Sequence, residues 1–373
     1  MKSNEVMTVT VAEFVRWIEE LIPPAFQEHY DNSGLQVGDP SSAIDSVLLT
    51  VDVTPSVIDE AVENRCNLIV SHHPLIFAPL KRLAYGSDAE QAVAGALKNN
   101  ISVYSAHTSF DNIGGGVSHI LAEKIGLEHI RVLVPLEGRL FKLVTFVPVD
   151  WAQKVRDALF AAGAGHTGIY DRCSFNVAGE GTFRAGAGAD PFAGSVGEDH
   201  REPEVRVEVV MQSHLKEACI RALLESHPYE EVAYDIIALE NRHNGAGAGA
   251  IGTMADPVTG AEMLERLRQL TGIPAIRYCG DLKRRLNTVA VCGGSGASFI
   301  SDAARAGADA FFTGDIKYHA FAGVPHDMLV ADIGHYESEK FSLEILHNLI
   351  HKKFPNFALR FSGTKTNPIN YFQ

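Results

Sequence analysis

Along the first part of the chain, apolar positions alternate between two periods. From Val11 to Leu21 (VAEFVRWIEEL) they recur at helical spacing, and the Pro23-Pro24 pair predicts the end of that helix. SVLLTVDVT then reads as a buried strand, PSVIDEAVEN as a helix, CNLIVSHH as a strand, DAEQAVAGALKNN as a helix and ISVYSAHT as a strand. Short continuous apolar runs separated by helices predict parallel pairing in an α/β body.

The rhythm changes after PLEGRL. FKLVTFVPV reads as a strand, WAQKVRDALFAAG as a helix and SFNVAGEGTF as a strand that runs into a Gly-rich loop through Ala193. VRVEVVM, HLKEACIRALLESH and VAYDIIAL follow as strand, helix and strand, so residues 138–240 carry the β-α-β-β-α-β order of a ferredoxin-like inserted domain. NRHNGAGAGAIG has the composition of a hinge or linker. Alternation then resumes: TGAEMLERLRQLTG and SFISDAARAGA as helices, TVAVCGG, DAFFTGD and MLVADIG as strands, and one long final helix around GHYESEKFSLEILHNLIHKKF. Residues 1–137 and 241–373 are thus expected to form one discontinuous α/β body, with the ends of the insert, near Leu140 and Leu239, close together.

At 373 residues the chain exceeds the usual reach of one core. Its net charge of -14 supplies no basic stripe and argues against nucleic acid as a standing partner, although bound cations would still draw a small anionic substrate at short range. Cys66, Cys173, Cys219, Cys279 and Cys292 are odd in number and dispersed, which suits reduced thiols. No stretch is apolar enough for a signal peptide or a membrane span, so a cytoplasmic protein is expected.

Five candidate metal ligands fall at the carboxyl ends of predicted strands, where open α/β sheets bind their ligands. His72 and His73 close NLIVSHHP, and the competing reading is a pair of hydrogen-bonded turn histidines. Asp111 follows ISVYSAHT, where a turn or helix cap is the alternative, and His107 precedes it as a ligand, an orienting residue or a proton carrier. His335 and Glu339 stand one helical turn apart, a spacing that serves chelation or an ordinary surface pair. Glu337 and Asp332 point to other faces. The mixed nitrogen and oxygen set suits Zn, Fe, Mn or Co, and two such ions would support hydrolysis through a metal-bound hydroxide. The turns CGGSGAS at 292–298 and IGGGVSH at 113–119 offer backbone amides for a phosphate, and Asp315, Lys317 and His319 either touch substrate or form a capping and ion-pair cluster.

Through YDNSGLQVG at 30–38, SHHPLIF at 71–77, AHTSFDN at 106–112, TGDIKYH at 313–319 and GHYESE at 334–339, the sequence resembles the Nif-three-like family of dinuclear-metal-centre proteins, known in bacteria as GTP cyclohydrolase I type 2 homologues. The resemblance implies that His72, His73, Asp111, His335 and Glu339 hold two divalent transition-metal ions per chain, with His107 as an additional site histidine. It also implies a toroidal homohexamer with inward-facing metal sites, and the insert places the chain in the long subgroup. The insert is similar to PII-like and copper-tolerance CutA domains, notably in HPYEEVAYDIIAL at 227–239, and modules of that kind trimerise. Its His166, His227 and Glu230 are expected to serve packing or loop order rather than catalysis. The family label implies attack on the purine imidazole ring of GTP, with Lys317 and the Gly-loop amides as triphosphate contacts. Two alternatives stand beside it: a metal-dependent phosphoesterase or amidohydrolase of a small metabolite, and a non-catalytic metal-handling or regulatory adaptor whose insert senses a ligand.

Overall fold

A computed structural model describes residues 9–372. The chain divides into two compact units, one built from the segments up to Val134 and from Gly245 onward, the other Pro135–Asn244. Among the described residues no helix is long and apolar enough to cross a membrane.

The larger unit contains two sheets. In the first, the strand order is Gly34–Val37, Ser102–Ser105, Leu68–Ser71, Ser46–Thr50, Ala358–Phe361, parallel throughout except for the antiparallel first strand. The runs SVLLT, LIVS and SVYS are buried at every position, as both-face coverage requires. Val47 and Leu49 face a cluster with Phe14 and Ile18 of helix Val11–Leu21 and Leu346 and Ile350 of helix Ser342–Lys353. Leu48 and Ile69 face the opposite cluster, with Val57 and Ile58 of helix Pro55–Glu63 and Ala92 and Ala96 of helix Asp88–Lys98.

The second sheet runs Arg277–Cys279, Leu329–Asp332, Ala310–Thr313, Arg285–Val291, His243–Thr259, Leu127–Leu136. Its centre is parallel, with antiparallel strands joined at Arg277–Cys279 and His243–Thr259. Helix Gly260–Thr271 packs Met263 and Leu267 on one face, and helix Ile300–Arg305 packs Ile300 and Ala303 on the other.

Two local expectations are corrected. NRHNGAGAGAIG is not a linker: it enters the strand His243–Thr259, where Ala250–Thr253 pair with Thr288–Val291. Its glycines are there for contact, since a Cβ at Gly252 would lie 2.7 Å from Glu128 O and 3.1 Å from Leu127 Cβ. The final helix is two helices, His335–Glu339 and Ser342–Lys353. The break lets Phe341 enter the core of the second sheet while Leu346 and Ile350 cover the first.

In the smaller unit, strands Leu140–Pro148, Phe175–Arg184, Asp199–Gln212 and Tyr234–Ala238 form an antiparallel sheet with Asp199–Gln212 and Leu140–Pro148 at its centre. Helices Ala152–Ala161 and Lys216–Ser226 bury Val155, Leu159, Cys219 and Leu223 against one face of it. The first and last strands are neighbours, and Leu239 N–H donates to Leu140 O at 3.0 Å.

One close approach tests the packing of the first sheet. Gly38 has φ of 126°, and a Cβ there would lie 2.2 Å from Ser102 Oγ and 2.8 Å from Ser102 Cα. Gly38→Ala is expected to lower stability by about 2–3 kcal/mol, from overpacking and a backbone shape that L side chains disfavour. Gly138→Ala, at φ of 67° with open space around it, is expected to cost only about 1 kcal/mol. Thermal or denaturant unfolding of both variants reads the difference, and equal effects would contradict it.

Candidate metal centre

The chain turns out of each parallel strand at its carboxyl end. His72 and His73 continue Leu68–Ser71 in ladder contact, His72 N–H donating to Thr50 O at 3.1 Å and His73 N–H to Val51 O at 2.9 Å. His72 is fully buried and His73 partly so. His107 N–H donates to His72 O at 2.8 Å and opens a short helix, His107–Asp111, whose last residue is Asp111. From the second sheet, Leu329–Asp332 leads into His335–Glu339, which begins and ends with the remaining two candidates. The centre therefore joins the two sheets of the larger unit.

Glu339 is buried at the middle of the group. Its Oε2 lies 2.9 Å from His73 Nε2 and 3.2 Å from His335 Nε2, and its Oε1 lies 3.5 Å from His72 Nε2. His72 Nε2 is in turn 3.7 Å from Asp111 Oδ1, and the Nε2 atoms of His73 and His335 are 3.3 Å apart. All five sequence candidates are thus brought together, with His72, His73 and Glu339 forming the tightest set of ligand atoms. His107 stands beside them, its ring centroid 5.7 Å from that of His72 and 5.5 Å from that of His73.

Three carboxylates hold the histidines from behind. Asp52 Oδ1 is 2.7 Å from His73 Nδ1, Asp315 Oδ2 is 2.7 Å from His335 Nδ1, and Asp31 Oδ1 is 2.6 Å from His107 Nδ1. A carboxylate on Nδ1 fixes the proton there and leaves the Nε2 lone pair facing the centre, which is the usual second partner of a metal-bound imidazole. From the sequence, Asp315 is expected either to touch substrate or to join a capping and ion-pair cluster, and its pairing with His335 is of the second kind, whereas Asp52 and Asp31 are given no role there. His107 and Asp315 also carry left-handed backbone, at φ of 31° and 56°, a conformation retained where the surroundings over-determine it.

The donor set fits cations. Among the described residues, both ring nitrogens of His72, Asp111 Oδ1 and Glu339 Oε2 are buried without a hydrogen-bond partner of proper geometry. Buried polar atoms in that state are costly unless something else satisfies them. Gly294, at φ of 63°, leaves room beside them: a Cβ there would lie 2.1 Å from Glu339 Oε1 and 3.4 Å from His335 Nε2.

The proton distribution of the bare side chains points the same way. Burial opposes charge on His73, yet the hydrogen bond to Asp52 and the Glu339 carboxylate at close range outweigh it and raise the pKa to about 10. His335 is raised to about 9 against the same burial, by Glu339 and Asp315. Burial pushes His72 down and Asp111 well up, whereas Glu339 is held well below the usual carboxylate range, despite burial, by the three histidines. Protons on His73 and His335 thus supply positive charge that cations would replace. Burial, with Asp111 and Glu339 nearby, pushes the Cys292 thiol up to about 12.

The glycine turns differ from expectation. The amides of CGGSGAS are engaged inside the protein: Gly293 N–H donates to Ser118 Oγ, Gly294 N–H to Ser338 Oγ and Gly296 N–H to Thr313 Oγ1. In IGGGVSH, Gly114 N–H donates to Gly245 O and Gly116 N–H to Ile113 O. These amides are used within the protein rather than presented to a phosphate, and of the two turns it is Gly293 and Gly294 that lie against Glu339. Lys317 and His319 are exposed and make no hydrogen bond or ion pair with the five candidates among the described residues. In the smaller unit, His227 Nε2 bonds Phe146 O and its Nδ1 accepts from Tyr229 N–H, Glu230 accepts from Asp190 N–H, and His166 is exposed.

The family model for Duf34/NIF3 (NGG1p interacting factor 3) matches residues 9–368. The chain is 38% identical over 374 residues to the GTP cyclohydrolase 1 type 2 homolog of Bacillus subtilis (strain 168), covering 98% of this chain and 99% of that one. It is 37% identical over 339 residues to the corresponding homolog of Mycobacterium tuberculosis, with 89% of each covered. Among solved structures, a Bacillus cereus protein related to NIF3 aligns with a TM-score of 0.84 at 34% identity over 98% of this chain and 100% of its own. A Staphylococcus aureus protein aligns with a TM-score of 0.77 at 26% identity over 98% and 99%. With near-complete coverage in sequence and in fold, the chain belongs to the Duf34/NIF3 family.

Proposed function

We propose that His72, His73, Asp111, His335 and Glu339 hold two divalent transition-metal ions and that the protein is a metal-dependent hydrolase of a small, nucleotide-like molecule. The observation that carries this reading is the convergence of the Nε2 atoms of His72, His73 and His335 on Glu339, with His73 and His335 anchored at Nδ1 by carboxylates. Glu339 presents Oε2 to His73 and His335 and Oε1 to His72, beyond which lies Asp111, so two ligand groups share one carboxylate. Bound divalent ions would supply the Lewis acidity that makes water a nucleophile at neutral pH. His107, with Nδ1 committed to Asp31, has Nε2 left to hold or pass a proton at the edge of the centre. The shared ligand set specifies a nucleophile and leaves the electrophile open, so GTP ring opening, phosphoester cleavage and cyclic amide cleavage are all within its chemistry.

We also propose that the smaller unit is a ferredoxin-like module of the PII/CutA kind and that the protein assembles as a toroidal homohexamer. The strand and helix order supports the first, and the exposed apolar residues Phe175 and Val177 on an outer strand support self-association. Five free cysteines suit a reducing, cytoplasmic setting.

Elemental analysis of protein purified without chelator is expected to give about two transition ions per chain. His72→Ala and Glu339→Ala are expected to lose them, and metal-free wild type even after reconstitution would overturn the reading. Because His73 and His335 carry protons up to about 10 and about 9, metal uptake must displace them, and affinity rises with pH. Calorimetry in buffers of different ionisation enthalpy is expected to show proton release, with apparent affinity increasing up to about tenfold per pH unit for each proton displaced. A pH-independent affinity would contradict this. Metal-loaded protein incubated with GTP, phosphodiesters and cyclic amides, beside a cyclohydrolase control, is expected to consume one class, and His335→Ala to abolish that turnover. Partner binding that survives loss of metal, with no turnover of any class, would favour the adaptor.

A further inference from the structure

The strand Ala358–Phe361 lies parallel to Ser46–Thr50 at the edge of the first sheet, and Ser362 N–H donates to Leu49 O at 2.8 Å. The chain therefore leaves the sheet at the same end as Asp52 and His73. Glu60, at the close of helix Pro55–Glu63, gathers the following residues: it accepts from Ser362 Oγ at 2.5 Å, Gly363 N–H at 2.8 Å, Thr364 N–H at 3.2 Å and Thr364 Oγ1 at 2.7 Å. Beyond this clamp, Thr366 Oγ1 donates to Asp52 Oδ2 at 2.8 Å, and Asn367 Nδ2 donates to Glu337 Oε1 at 2.9 Å. The other oxygen of Asp52 is the one that anchors His73 Nδ1.

A carboxylate holding an imidazole by one oxygen can still swing about its own bond, and the imidazole swings with it. Donors on the second oxygen remove that freedom. Asp31 has such donors in Thr108 and Ser33, which fix it against His107. Asp52 is 31% exposed in its side chain, so without Thr366 water would compete for Oδ2. The residue that locks the anchor of His73 thus comes from a segment 314 positions along the chain.

We infer that Thr366 is a positioning residue of the metal centre, fixing Asp52 and through it the aim of His73 Nε2 toward Glu339. The inference rests on the metal reading above, and cobalt(II) binding to the full chain tests the two separately. Metal-stripped wild type, Thr366→Val, Thr366→Ser, Asp52→Asn and His73→Ala are titrated with cobalt(II), reading affinity by dye competition and geometry by the visible absorption band. Thr366→Val is expected to bind about tenfold more weakly with a shifted band, as loss of an outer-shell partner does, and Thr366→Ser to stay within about twofold of wild type. Adding Thr366→Val to Asp52→Asn is expected to cost little more than Asp52→Asn alone, because the two act through one contact. Melting of the metal-free proteins checks that Thr366→Val remains folded. If Thr366→Val binds as wild type does while His73→Ala fails, the positioning role is overturned and the metal centre stands. If Thr366→Ser is as weak as Thr366→Val, the hydroxyl is not responsible and the role is likewise overturned. If wild type takes up no cobalt, the metal reading falls and the positioning role falls with it.

Discussion

A buried carboxylate surrounded by imidazole nitrogens is the constraint around which the larger unit is built. Glu339 is almost inaccessible to solvent, and an ionised carboxylate in that setting persists only when compensated at close range. Three histidines provide the compensation, and each needs its ring held at a defined tilt to do so. The strand ends supply the backbone, the aspartates behind His73 and His335 supply the tilt, and the glycines at 293–294 supply the space. Because His72 and His73 come from one sheet and Glu339 from the helix after the other, the two sheets cannot shift against each other without pulling the cluster apart.

Much of this was legible in the chain itself, for identifiable reasons. The runs around Leu48, Ile69 and Val103 are short and dominated by branched apolar residues between helical stretches, which is why burial on both faces and parallel pairing could be expected of them. The candidate ligands were visible because adjacent histidines at a strand end and a His and Glu one turn apart are local patterns. What escaped notice is what depends on distant partners. Asp52 meets His73 across 21 positions and Asp31 meets His107 across 76, and neither aspartate stands in a local pattern that says so.

The missed elements have a similar cause. Gly34–Val37, Arg277–Cys279 and Ala358–Phe361 are short strands, each at the edge of its sheet, with too few residues to display a period. NGAGAGAIG looks like a flexible connection because small residues are read as freedom, whereas here they permit close contact with Leu127 and Glu128. The division of the last helix was hidden because both halves share helical spacing, and only the two cores they serve distinguish them.

The pairing of Leu140 with Leu239 has a bearing on the history of the chain. Strands Leu127–Leu136 and His243–Thr259 belong to the same sheet, and between them the chain goes out and returns at neighbouring points, with Glu137 and Arg242 in an ion pair just outside that pairing. The entropy of closing such a loop grows only slowly with its length. To the α/β body, about a hundred intervening residues are then a modest extension of a turn, so a lineage could acquire or shed the whole module at this one point while the candidate ligands on either side kept their places.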